Sequence, residues 1–149
     1  MALESQIQQD LKAAMIAKDS VALASIRGIK AAILLAKTAE GASGEITDAD
    51  IVKIIQKLVK QRKESAEIYA QQSRRELADN ELAEAAILEK YLPKQLSESE
   101  VEEALSKIIS QLGVSGPAAM GKVMGTATKA LAGQADSKLI STIVKKLLS

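Results

Sequence analysis

The 149-residue chain contains no histidine and no cysteine. It also has no phenylalanine or tryptophan, so Tyr69 and Tyr91 are its only aromatic side chains. Each absence removes chemistry. Without histidine or cysteine there can be no Ser-His-Asp triad, no Cys-His pair, no zinc held by imidazole or thiolate, and no disulfide. A di-iron bundle built on Glu-x-x-His is excluded for the same reason. No serine stands three residues before a lysine, so the Ser-x-x-Lys arrangement is missing as well. With almost no rings, the chain has little on which to stack splayed bases. No uninterrupted run approaches 18 apolar residues, so no membrane span is expected. The first residues, Met1-Ala2-Leu3-Glu4-Ser5-Gln6, show no basic stretch followed by an apolar one, and early arginine is lacking. Neither a signal peptide nor a transit peptide is therefore expected, and the expected compartment is the cytoplasm.

What remains is aliphatic and helix-forming. Leu, Ile, Ala, Val and four Met supply the apolar residues, with only 8 glycines and 2 prolines. This composition predicts an all-α fold. A chain of this length buries roughly 70% of its unfolded surface, as one domain or two small ones. The 20 cations nearly balance the 19 carboxylates, which argues against a DNA-coating protein. The balance is local, however. From Gly113 onward, five lysines face Asp136 alone, a surplus of four, while the rest of the chain is acidic by about three.

Leu92-Pro93 divides the pattern. Proline has no N–H to give a helix and pushes the residue before it out of the α region. A four-helix block over residues 1–93 is expected before this hinge, and three short helices over 94–149 after it. In the first block, Leu3, Ile7, Leu11, Ala14 and Met15 form one helical stripe. Asp19 caps the next helix, whose inner face is Ala22, Ile26, Ile29, Ile33 and Ala36. Arg27, Lys30 and Lys37 line its flank. Residues 40–45 read as a loop. Thr47 caps the third helix, with Ile51, Ile54, Ile55 and Leu58 inward. Ser73-Arg74-Arg75-Glu76 has capping-box spacing and marks a break. The fourth helix is expected to bury Ala78, Leu82, Ala85, Leu88 and Leu92 and to turn Glu76, Glu81, Glu84 and Glu89 outward. In the second block, Ser97 to Glu100 is another capping box, Gly113 ends the fifth helix and Pro117 opens the sixth. Gly133 ends that one, and Asp136 caps the seventh.

Three features bear on chemistry. Gly116 to Lys122 has the spacing GxxxxGK, but Val123 replaces the magnesium-binding Ser or Thr, Pro117 removes a phosphate-cradling N–H, and no strand precedes it. Gly121 and Gly125 are read instead as letting two helices approach closely. Glu81 and Glu84 lie three apart on one helix; as an enzyme they would act through magnesium, but as a charged face they simply solvate the helix. Lys53, Lys57, Lys60 and Lys63 form a row in which Lys60–Glu64 and Lys63–Glu67 pair at i,i+4. The terminal lysines, with few acids nearby, are the better candidates for contact with a nucleic-acid backbone.

Lys60-Gln61-Arg62-Lys63-Glu64-Ser65, Tyr91-Leu92-Pro93-Lys94-Gln95-Leu96 and Met120-Gly121-Lys122-Val123-Met124-Gly125, in this order and spacing, resemble the GatB/YqeY family, and specifically its free-standing YqeY-like members. The resemblance covers nearly the whole chain. It implies kinship with the C-terminal tail of the B subunit of the bacterial amidotransferase that acts on Glu-tRNA(Gln) or Asp-tRNA(Asn). In that enzyme the tail is associated with the outer elbow of tRNA. The implied role is a tRNA-binding accessory of aminoacyl-tRNA metabolism. The family's association is with carbon–nitrogen ligation using glutamine as amido donor, but no catalytic group stands in this chain to perform it. The resemblance makes Lys122 the first RNA-binding candidate, followed by Lys138, Lys145 and Lys146 on the last helix; Lys129 joins them from the charge surplus of residues 113–149. No catalytic residue, cofactor or metal is expected, nor DNA or a membrane as partner. The family's usual Gly-Arg-Ala-Asp-Gly stands here as Gly133-Gln134-Ala135-Asp136-Ser137, which removes one cation. The rival reading is an adaptor docking on a tRNA synthetase or an amidotransferase component.

Overall fold

A computed structural model describes residues 2–39, 41 and 44–149. Residues 40, 42 and 43 of the expected loop lie outside the described residues. The chain is all-α, with seven helices among the described residues, and it separates into two compact units, Met1–Leu92 and Pro93–Ser149.

Unit 1 holds α1 (Ala2–Ala17), α2 (Ser20–Thr38), α3 (Asp48–Gln71) and α4 (Arg75–Glu89). Its core is rich in isoleucine: Ile7 from α1, Ile29 and Ile33 from α2, and Ile51 and Ile55 from α3, closed by Leu88 of α4. Full burial of each such side chain contributes about 1.5–3 kcal/mol. The most extensive helix pair among the described residues is α3 with α4. Ala78, Ala85 and Ala66 are buried in these two helices, and their small side chains permit close approach. Met15, expected in the core, is 54% exposed.

The helix starts follow their side-chain chemistry. Asp19 accepts from the Ala22 N–H at 3.1 Å. Thr47 and Asp50 form a complete capping box, and the N–H and hydroxyl bonds from Thr47 hold the Asp50 carboxyl below its ordinary range. The break after α3 differs from the expected capping box. Ser73 has φ of +62°, Arg74 N–H donates to Tyr69 C=O at 2.8 Å, and Ser73 N–H donates to Ala70 C=O at 3.1 Å. These bonds close the end of α3 as a Schellman motif, and no side chain caps α4. Lys18 ends α1 the same way, with φ of +57° and Asp19 N–H donating to Ala14 C=O at 3.1 Å.

Unit 2 holds α5 (Glu98–Leu112), a 3-10 turn over Pro117–Ala119, α6 (Met120–Ala130) and α7 (Ser137–Leu148). Val101 and Leu105 of α5 meet Val123 and Ala127 of α6 and Ile140 and Val144 of α7 in one core. Ser97 and Glu100 form the expected capping box. Bonds from Ser97 and the nearby Lys94 hold the Glu100 carboxyl below its ordinary range. Gly113, at φ of +64°, ends α5. Pro117 opens the 3-10 turn rather than α6 itself. α6 stops at Ala130, short of Gly133. Asp136 precedes α7 without making a side-chain cap bond to it.

Candidate nucleic-acid interface

The five candidate lysines divide by helix. Lys122 and Lys129 lie seven residues apart on α6, so two turns bring them onto one line. Val123 and Ala127, on another face of that helix, are buried in the core of unit 2. Lys138 and Lys145 stand in the same relation on α7, turned away from the buried Ile140, Ile143 and Val144. All four lysines are exposed, and none makes an ion pair among the described residues. Lys146 stands apart, because its ammonium lies 3.5 Å from Glu102 of α5. The two other lysines of unit 2 are also matched by α5 acids, Lys94 to Glu100 at 3.5 Å and Lys107 to Glu103 at 3.9 Å. Charge within the unit is thus sorted by helix: α5 neutralises three lysines, and α6 with α7 leaves four uncommitted.

Gly121 and Gly125 are exposed on α6, and a Cβ built at either meets nothing within 4 Å. They do not serve helix packing, contrary to the sequence expectation. Helical glycine costs about 0.8–1 kcal/mol relative to alanine, and here no neighbour in the fold requires it. Together with Lys122 and Lys129 they leave a low surface fringed by ammonium groups.

The turn between α6 and α7 is fixed by the Leu-Pro-Lys-Gln-Leu segment. Leu96 N–H donates to Gln134 C=O at 3.0 Å, and Gln95 Nε2 donates to Gly133 C=O at 2.6 Å. In unit 1, Tyr91 donates its hydroxyl proton to Asp10 Oδ2 at 2.5 Å. Burial, then the Asp10 carboxylate, pushes the Tyr91 phenol well above its ordinary range. Tyr91, Gln95 and Leu96 of this motif, one of the three that carry the resemblance, therefore serve as tethers.

The carboxylate pair of α4 is committed elsewhere. Glu84 is 6% exposed, not outward as expected, while Leu82 takes the solvent position at 48%. Arg62 of α3 reaches Glu81 at 3.4 Å and Glu84 at 3.8 Å, and Lys63 reaches Glu89 at 2.6 Å rather than Glu67. The α4 sequence alone carries no signal for Glu84 burial, since the partner lies 22 residues earlier in the chain. The two carboxylates serve as partners of a guanidinium. Among the described residues, no group of His, Cys, Asp and Glu is placed to hold a metal ion, and no helix is long and apolar enough to cross a membrane.

Comparison with known proteins agrees with the resemblance drawn from the motifs. "Altered inheritance of mitochondria protein 41, mitochondrial" of Clavispora lusitaniae is 36% identical over 113 residues, covering 74% of this chain and 65% of that protein. The protein of the same name from Pyrenophora tritici-repentis is 32% identical over 147 residues, covering 96% of this chain and 79% of that protein. The chain thus spans just under two thirds of the first relative's length and more of the second's. A 55-residue stretch is 42% identical to a glutamyl-tRNA(Gln) amidotransferase subunit of Thermococcus gammatolerans, covering 34% of this chain and 9% of that protein. The motif-bearing segments, the two helical units that contain them and a family model matched over residues 4–148 agree: the chain belongs to the Yqey-like protein family.

Proposed function

We propose that this protein binds the folded sugar-phosphate backbone of charged tRNA through Lys122, Lys129, Lys138 and Lys145, with Lys146 secondary because Glu102 holds it. It acts as an accessory of the amidotransferase type, without a catalytic centre of its own. On this reading residues 94–149 are the tail-like RNA module and residues 1–93 support it. The observation that supports it most is the set of four exposed ammonium groups with no carboxylate partner among the described residues, on two helices packed against each other. Kinship of one segment to a protein whose name includes glutamyl-tRNA(Gln) points to the same polymer. The scarcity of rings favours backbone and shape recognition at the tRNA elbow over base readout. The cytoplasmic setting belongs to the same proposal; the fungal relatives' names place those proteins in mitochondria.

Filter binding of aminoacylated tRNA tests it. Lys122→Ala with Lys145→Ala should weaken binding about tenfold or more at moderate salt, and Lys53→Ala with Lys57→Ala on α3 should not. Equal affinity in all three proteins would overturn the proposal. The adaptor reading draws support from Leu34 and Leu35, exposed on α2. Capture of a synthetase or an amidotransferase component that survives ribonuclease would favour it.

A further inference from the structure

Unit 1 holds an open groove of about 820 Å³ between α1 and α2. Ile7 and Ile33 lie at its floor, and Leu34, 63% exposed, stands on one wall. Its ammonium groups come from Lys12 on α1 and from Lys30 and Lys37 on α2. Glu4 is the one carboxylate among the lining residues. This charge is local: residues 1–92 as a whole hold thirteen cations and fourteen carboxylates, whereas α2 has Arg27, Lys30 and Lys37 and no carboxylate at all. Two of the ammonium groups already reach across the groove, Lys30 to Gln8 Oε1 at 2.5 Å and Lys37 to Glu4 Oε1 at 2.6 Å. Each ammonium has three N–H donors and commits one of them here.

We infer that this groove docks an acidic amphipathic helix of a partner protein. Leu34 lies four residues beyond Lys30 and three before Lys37, so apolar and cationic side chains share one stripe of α2 at the spacing that an incoming helix presents. An apolar edge set between ammonium groups is complementary to leucines flanked by carboxylates. It is poorly matched to nucleic acid, which offers phosphates but no apolar ridge. A volume in the range of ligand pockets suits two or three anchoring side chains rather than a whole domain.

The test uses the full chain and a fluorescein-labelled helical peptide with leucine at every third and fourth position and glutamate on both flanks. Anisotropy should rise on titration. Lys12→Glu with Lys30→Glu should weaken binding about tenfold or more, and so should Leu34→Gln. Both variants change exposed positions, and circular dichroism is the check that each is folded. Lys122→Ala with Lys145→Ala should bind the peptide as the unaltered protein does, so loss of tRNA binding and loss of peptide binding are separable. A peptide with lysine in place of glutamate should not bind. Overturning results are equal binding of the lysine peptide, unaltered affinity in both groove variants, loss of binding in the Lys122/Lys145 variant, or displacement of the peptide by an RNA hairpin.

Discussion

At the scale of single residues, Arg62 and Tyr91 hold unit 1 together by polar means. Arg62 lies against Glu84, a carboxylate 6% exposed, and against Glu81. Removing the guanidinium leaves a buried charge with no partner, which is far more costly than removing an exposed pair. Arg62→Met should therefore destabilise the protein by about 3 kcal/mol in urea unfolding, the low end for a buried charge left alone because the Arg62 side chain is itself partly exposed. Glu84→Gln should cost less, because Arg62 keeps Glu81. Tyr91 gives a prediction with a pH window. Its phenol is held above the ordinary value, so the folded protein retains a proton that the unfolded chain releases above about pH 10. That stability is fully present below pH 10 and is lost as pH rises beyond it. Tyr91→Phe should cost about 1 kcal/mol at neutral pH through the lost bond to Asp10. It should also flatten the alkaline fall of the urea midpoint measured from pH 8 to 11. The partner of neither residue, Glu84 for Arg62 or Asp10 for Tyr91, was legible in its local sequence. A glutamate on an amphipathic helix reads as solvated until the helix packed against it is known to supply an arginine.

At the scale of elements, the starts of α2, α3 and α5 were readable, whereas no expected side-chain cap forms at α4 or α7, and Pro117 opens a 3-10 turn ahead of α6. Thr47-x-x-Asp50 and Ser97-x-x-Glu100 form the reciprocal bonds their spacing suggests. Ser73-x-x-Glu76 has equivalent spacing, but Ser73 sits in the left-handed region as the closing residue of α3. Capping spacing records which residues can cap, and the preceding helix decides which conformation Ser73 adopts. The same limit touches α4: Ala78, Ala85 and Leu88 of the expected stripe are buried, but Leu82 is exposed and Glu84, which lies against Arg62 of α3, is buried. Glycines on α6 show a different kind of mismatch. Gly121 and Gly125 lie in a helix, open to solvent, with no neighbour that a methyl group would meet. Alanine at both should raise stability by about 1 kcal/mol each. If the low surface beside Lys122 lets a sugar-phosphate chain approach the helix, the same double variant should bind tRNA several-fold more weakly while melting at higher temperature. Gains in both stability and binding would mean that these glycines serve neither packing nor the interface.

At the scale of the whole molecule, net charge near zero conceals a division of labour. Residues 93–149 hold seven lysines against five carboxylates, and four of those carboxylates sit on α5. Counting charges along the chain gave residues 113–149 a surplus of four, but that count included Lys146, which Glu102 already matches, and it assigned no partner to any lysine. The number of uncommitted lysines sets the salt dependence. Each phosphate neutralised by a lysine contributes roughly −0.7 to −0.9 to the slope of log affinity against log salt. Four uncommitted lysines therefore set a slope of about −3, and Lys122→Ala with Lys145→Ala should cut it by about half. Lys146→Ala should change it little, because that ammonium loses its ion pair with Glu102 on meeting a phosphate. Glu102→Gln should act in the opposite direction: with Lys146 released, tRNA binding should tighten at low salt and the slope should steepen by up to about one phosphate's share. A Lys146→Ala variant that weakens binding as much as Lys122→Ala, together with a Glu102→Gln variant that tightens it by much more than one phosphate's share, would show that RNA meets unit 2 on the α5 side and not on the outward faces of α6 and α7.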